Sequence, residues 1–113
     1  MTDATSELEY LRAAEAVLTR IEDALEESGL DQELDLDIAR RGKLLEISFA
    51  NRSQVVVNLQ PPLQEIWLAA RSGGYHFKWV DGVWRDREGG EFFALLSQAV
   101  TLHSGREVHL SAG

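Results

Sequence analysis

Between residues 33 and 87 apolar side chains recur at every second position in six short runs, and turn-forming residues separate the runs. Period-two alternation gives a strand one dry face and one wet face. Leu34, Leu36 and Ile38 alternate with Glu33, Asp35 and Asp37, which predicts a first strand over 33–38. Arg40-Arg41-Gly42-Lys43 reads as a turn. Leu45, Ile47 and Phe49 mark a second strand, and Asn51-Arg52-Ser53 turns the chain again. Val55, Val57 and Leu59 form the dry side of a third strand over 54–60, which Pro61-Pro62 stops. Fourth, fifth and sixth strands are expected over 65–71, 75–80 and 83–87, with turns at Gly73-Gly74 and Asp81-Gly82. Asp-Gly between alternating segments is a strong hairpin signal. Connections this short make the sheet antiparallel.

Helical periodicity flanks the sheet on both sides. Leu8, Leu11, Ala14, Leu18, Ile21 and Leu25 recur at three- and four-residue steps. Thr5 or Ser6 can open this helix, Ser6 with Glu9 having capping-box spacing, and Ser28-Gly29 ends it. Glu91 opens a second helix with Phe92, Leu95, Leu96, Ala99 and Leu102 on its apolar face, and Ser104-Gly105 stops it. Val108 and Leu110 form a last short strand or a packed tail. The fold class is therefore α+β: a two-layer sandwich with N- and C-terminal helices on one face of an antiparallel sheet of about six strands. With 113 residues it is expected to be a single domain over 1–113, with Trp79 and Trp84 in its core.

Composition removes several function classes. There is no cysteine, so disulfides, thiolate metal sites and a thiol nucleophile are excluded. The start, Met1-Thr2-Asp3-Ala4, is polar and acidic, unlike a secretory signal. A cytoplasmic location is the expectation. A net charge of −8 disfavours nucleic acid and anionic membrane as partners. No glycine-rich phosphate loop, nucleophile elbow or HExxH occurs, and His76, His103 and His109 lack metal-ligand spacing. The chain is not expected to be an enzyme; the three histidines read as surface or structural residues.

The charge is concentrated. Residues 1–37 hold twelve acids and two bases, a net charge of −10. Glu22 and Glu26 lie four apart, as do Asp23 and Glu27, and Glu15 sits two turns before Glu22. Like charges at that spacing repel, and acids late in a helix oppose its dipole. Glu33, Asp35 and Asp37 extend the acidic set. Such crowding suits a hard cation held through oxygen, loosely and with much water, or a basic partner. A second candidate surface is the wet face of the sheet. Glu65 is costly to bury, so the face it shares with Trp67 points outward. Asn58, Gln60, His76 and Lys78 join it by alternation, and an exposed tryptophan ringed by amides is a typical interface anchor.

The stretch Asn58-Leu59-Gln60-Pro61-Pro62-Leu63-Gln64-Glu65-Ile66-Trp67-Leu68-Ala69, followed by Gly73-Gly74-Tyr75-His76-Phe77, resembles the signature of the frataxin family, its bacterial members in particular. The acidic first helix and strand and the order of elements match over nearly the whole chain. One position departs: Glu65 stands where the motif has glutamine before the Ile-Trp pair, with Gln64 one place early. The resemblance implies an α–β sandwich that binds iron (Fe2+ or Fe3+) weakly along an acidic ridge and holds no cluster itself. By position that metal-binding ridge is Glu22, Asp23, Glu26, Glu27, Asp31 and Glu33, and the sheet-surface patch is Asn58, Gln60 and Trp67; Asp35 and Asp37 of the acidic first strand are expected to join that patch in binding a partner. It further implies action in iron–sulfur cluster assembly, as iron donor or as regulator of a cysteine desulfurase, with a scaffold protein as second partner. The oligomeric state expected is a monomer, or an oligomer that forms with iron. The alternative is an acidic protein–protein adaptor whose metal binding is incidental.

Overall fold

The computed structural model describes residues 4–113; the polar start at Met1-Thr2-Asp3 lies outside the described residues. The element order is α1 (Ala4–Glu27), α2 (Leu30–Glu33), β1 (Asp37–Arg41), β2 (Leu44–Ser48), β3 (Gln54–Gln60), a 3-10 turn at Pro61–Leu63, β4 (Glu65–Ala70), β5 (Gly73–Val80), β6 (Val83–Arg85) and α3 (Phe92–Ser104). The six strands pair in sequence order, every pair antiparallel. The expected helix–sheet–helix sandwich is thus what the chain forms.

Register decides which residues meet the helices. Val57 pairs with Leu45 on one side and Leu68 on the other, and Ile66 pairs with Phe77. Directly paired residues point the same way, so these side chains line one face. All five are essentially fully buried. Tyr10, Ala14, Val17, Leu18, Ile21, Ala24 and Leu25 of α1, and Phe92, Phe93, Leu96, Ala99 and Val100 of α3, complete the same core cluster. Burying one such Leu, Ile or Phe side chain contributes about 1.5–3 kcal/mol. No helix among the described residues is long and apolar enough to cross a membrane.

Several boundaries differ from the sequence expectation, each for a local reason. Ser6 lies inside α1, not at its cap, so the capping-box reading fails. Leu8 and Leu102 are about half exposed; the helices present Tyr10 and Val17, and Phe93 and Val100, to the sheet instead. The 33–38 alternation does not make a strand. Leu30–Glu33 closes a helical turn, Asp35 takes a left-handed backbone (φ 55°), and pairing starts only at Asp37. Arg40 and Arg41 consequently belong to β1, and the turn shrinks to Gly42-Lys43. Gly73 and Gly74 likewise fall inside β5, behind a turn at Arg71-Ser72. Asp81-Gly82 does form the expected tight hairpin, both residues at positive φ (49° and 81°). β6 ends at Arg85. Trp84 is buried, but Trp79 is 51% exposed: it packs edge-on against Trp84 and lines an open cleft with Tyr10 and the Pro62-Leu63 turn, which do not cover it. Val108 and Leu110 are buried as a packed tail without strand pairing, their backbone held by Thr101 and Ser97 hydroxyls.

Two polar devices fasten α3. Glu91 caps its N-terminus, its carboxylate accepting from the backbone N–H of Phe93 (2.7 Å) and Ala94 (3.1 Å). At the other end His103 is buried. Its Nε2 accepts from the Arg71 N–H (3.0 Å), which places the ring proton on Nδ1, donating to Ser53 Oγ at 2.8 Å. The Ser53 hydroxyl passes the bond to Asn51 Oδ1, and Asn51 Nδ2 returns it to the His103 carbonyl. The ring thus ties two sheet loops to the helix end. Burial pushes the His103 pKa down, and the Arg71 charge pushes it the same way.

Replacing Glu91 by alanine should cost about 1 kcal/mol, seen as a melting temperature lowered by about 4 °C. The depressed His103 pKa means that the unfolded chain binds this proton more readily than the folded one. Its stabilisation is therefore complete above about pH 6.5 and is lost as pH falls through the folded-state value. Urea midpoints should decline between about pH 6.5 and 5, and the decline should be shallower in His103→Gln. An equal slope in that variant would remove His103 as the cause.

Candidate functional site

The acidic residues occupy one continuous stretch: the last two turns of α1, the short α2 and the link into β1. α1 must keep Ile21, Ala24 and Leu25 inward, and this turns Asp23, Glu26 and Glu27 to solvent, with Glu22 half-buried at the edge. Gly29, at φ 74°, lets the chain reverse at once into α2, which carries Asp31 and Glu33. Asp35 and Asp37 follow, both exposed. Asp37 pairs with Ser48 and so faces the open side of the sheet, whereas Ile38 and Arg40 face the helices.

That orientation of Arg40 has a consequence for the ridge. Its Nη1 donates to Glu22 Oε1 at 2.8 Å and to Thr19 Oγ1 at 3.0 Å. Arg20 pairs with Glu27 (3.5 Å) while its Nε holds the Ser111 carbonyl, and Arg106 pairs with Glu33 (2.6 Å). Three of the six acids expected to hold metal therefore already face an arginine. Asp23, Glu26, Asp31, Asp35 and Asp37 have no ion pair among the described residues; the Asp31 carboxylate accepts the Gln32 N–H. Among the described residues no three His, Asp or Glu side chains converge closely enough to cage a metal ion. The donors are oxygens in open solvent. Their chemistry suits a hydrated hard cation held loosely, not a closed chelate.

The open sheet face carries the second constellation, and register assembles it in two rows. Asn58, Trp67 and His76 lie abreast on β3, β4 and β5. Gln60, Glu65, Lys78 and Arg85 lie abreast in the next row, across β3 to β6. The Trp67 indole stacks on the His76 imidazole, with centroids 4.3 Å apart and planes 9° from parallel. Its Nε1–H donates to Glu65 Oε1 at 2.8 Å. The other oxygen of Glu65 meets Lys78 Nζ at 3.3 Å, and His76 Nδ1 lies 3.8 Å from Oε1. The Glu65 side chain is only 12% exposed. Burial alone would raise its pKa. The hydrogen bonds from Trp67 and Lys78 and the charges of Lys78 and His76 outweigh it, and the net shift is downward.

Alternation placed Trp67, Asn58, Gln60, His76 and Lys78 on one face, and there they stand. What it did not reveal is that Glu65 is the hub; the signal was the acid standing two residues from Trp67 on the same strand face. Nor did periodicity foresee Arg40 as partner of Glu22, since the misplaced first strand put Arg40 in a turn.

The frataxin-like domain family matches residues 3–106. The iron-sulfur cluster assembly protein CyaY of Paraburkholderia xenovorans is 51% identical over 108 residues, covering 95% of this chain and 99% of its own. The CyaY protein of Burkholderia mallei is 44% identical over the same shares. Among solved structures, frataxin from Psychromonas ingrahamii superposes with a TM-score of 0.82 at 34% identity, over 93% of this chain and 97% of that one. Trimeric frataxin from the yeast Saccharomyces cerevisiae, complexed with ferrous iron, gives 0.71 at 26% identity, over 83% and 87%. By the match over residues 3–106 and these near full-length relatives, the chain belongs to the frataxin family.

Proposed function

We propose that this protein is an accessory factor of iron–sulfur cluster assembly, without catalytic chemistry of its own. It takes up iron as cargo on the acidic ridge and docks on a cysteine desulfurase and a scaffold protein. The observation that carries this reading is the set of carboxylates that have no internal cation among the described residues: Asp23, Glu26, Asp31, Asp35 and Asp37. Relatives about half identical over nearly their whole length are iron-sulfur cluster assembly proteins, and a structural neighbour is complexed with ferrous iron. Both support the assignment of pathway and cargo.

Mechanistically, Asp23 and Glu26 are one helical turn apart and both exposed, so they can share one hydrated cation. Coordination through one or two carboxylates and water is weak, which lets the ion leave again. Glu22, Glu27 and Glu33 would contribute only by exchanging Arg40, Arg20 and Arg106 for the metal. The unneutralised charge also draws a basic protein surface toward the ridge and speeds encounter. Trp67 with Asn58 and Gln60 supplies the short-range anchor on the sheet face.

A second reading is an adaptor whose acids serve only a basic partner, with metal incidental. Two observations favour it: the three internal arginine pairs, and the lack of a three-carboxylate cage among the described residues.

Asp23→Lys combined with Glu26→Lys separates these readings and tests the first. Ferrous iron added to the wild type should broaden backbone amides selectively around residues 22–27, and the double variant should lose both that response and association with the desulfurase. Loss of association alone, with uniform weak iron effects in the wild type, favours the adaptor. Retention of both activities would remove the ridge from the account.

A further inference from the structure

The motif that the sequence resembles has glutamine at position 65, but this chain supplies a carboxylate. An amide oxygen could accept the same Nε1–H bond. It could not also bind the Lys78 ammonium at 3.3 Å and attract His76 at 3.8 Å. Indole has a single donor, and Glu65 consumes it. One π face is covered by the His76 ring. What Trp67 has left to offer a partner is ring surface, not a hydrogen bond.

We propose that Glu65 and His76 are positioning residues for Trp67, holding its indole in the orientation in which it docks, and that proton uptake by His76 tightens the hold. The docking role of Trp67 rests on the function proposed above; the positioning does not. An imidazolium stacked on indole gains a cation–π attraction that neutral imidazole lacks, and it becomes the counterion of Glu65. The other charged groups near His76 are Lys78 on its own strand, Glu65 from β4, Arg85 from β6, and Asp86, Arg87 and Glu88 of the following segment, which line the same cleft. Lys78 is committed to Glu65, Arg85 donates to the Gly89 carbonyl, and Asp86 accepts the backbone N–H groups of Glu88 and Gly90. Glu65, whose Oε1 lies 3.8 Å from His76 Nδ1, is the carboxylate within ion-pair distance of that ring among the described residues. An anchor fixed before contact loses less side-chain freedom on docking, which favours the complex.

The test uses the full chain and needs no partner. The Trp67 Nε1–H resonance, assigned through Trp67→Phe, is followed by NMR between about pH 5 and 8 together with the His76 ring protons. In the wild type it should move in step with His76. In His76→Asn the movement should vanish, and in Glu65→Gln it should fall by at least half while the proton stays hydrogen-bonded. Solvent exchange of this proton should rise on the order of tenfold in Glu65→Ala, the worth of a charge-assisted hydrogen bond. An indole proton that ignores His76 in the wild type overturns the proposal. So does one that moves as much in His76→Asn, or a pH response undiminished in Glu65→Gln. If Trp67→Ala still captures the desulfurase and scaffold from lysate, the docking role fails while the clamp stands, so the two failures are separable.

Discussion

Side-chain alternation in an antiparallel sheet assigns every strand residue to one of two media, and the rest of this molecule depends on that division. Val55, Val57, Leu59, Ile66, Leu68 and Phe77 can all be dry only if a helical layer covers them. α1 and α3 provide the cover, and their apolar stripes are shaped by it. The opposite face then has to be polar, and its polar residues arrive in register, so that Asn58, Trp67 and His76 fall abreast without further design. One constraint builds both the core and the open polar face.

The acidic ridge stands outside that logic. Nothing in the core requires Asp23 or Glu26, and late-helix acids work against the α1 dipole. The fold tolerates them because exposed like charges cost only a few tenths of a kcal/mol per pair. Arg40, Arg20 and Arg106 relieve part of the repulsion at Glu22, Glu27 and Glu33. Ion pairs this exposed contribute about 0–1 kcal/mol, so their effect is to set where net negative charge remains, more than to stabilise the fold. Unneutralised negative charge is thereby concentrated at the end of α1 and the approach to β1.

The sheet was legible because period two is unambiguous when every strand has one wet face; β3 falls on the residues expected. Legibility failed where two signals compete. The 33–38 segment alternates like a strand, yet Gly29 lets the chain enter a helical turn and left-handed Asp35 interrupts extension before Asp37. Trp79 has the parity of a core residue, but parity gives the face and not how far the helical layer extends over it. The same limit applies to the ridge. Spacing located the acids, while Arg40, eighteen residues beyond Glu22, became its partner only through the packing of β1 beside α1. The networks around His103 and Glu65 join residues from separate loops and strands, and no local pattern marks such closure.

In the function proposed above, carboxylates that no internal cation neutralises among the described residues act on a positive partner from a distance. The most direct measurement is the association rate of this protein with a cysteine desulfurase, the partner proposed above, as ionic strength rises from about 0.02 to 0.15 M, a range over which screening shortens markedly. The association rate should fall steeply with salt while dissociation changes little. An association rate indifferent to salt would contradict it.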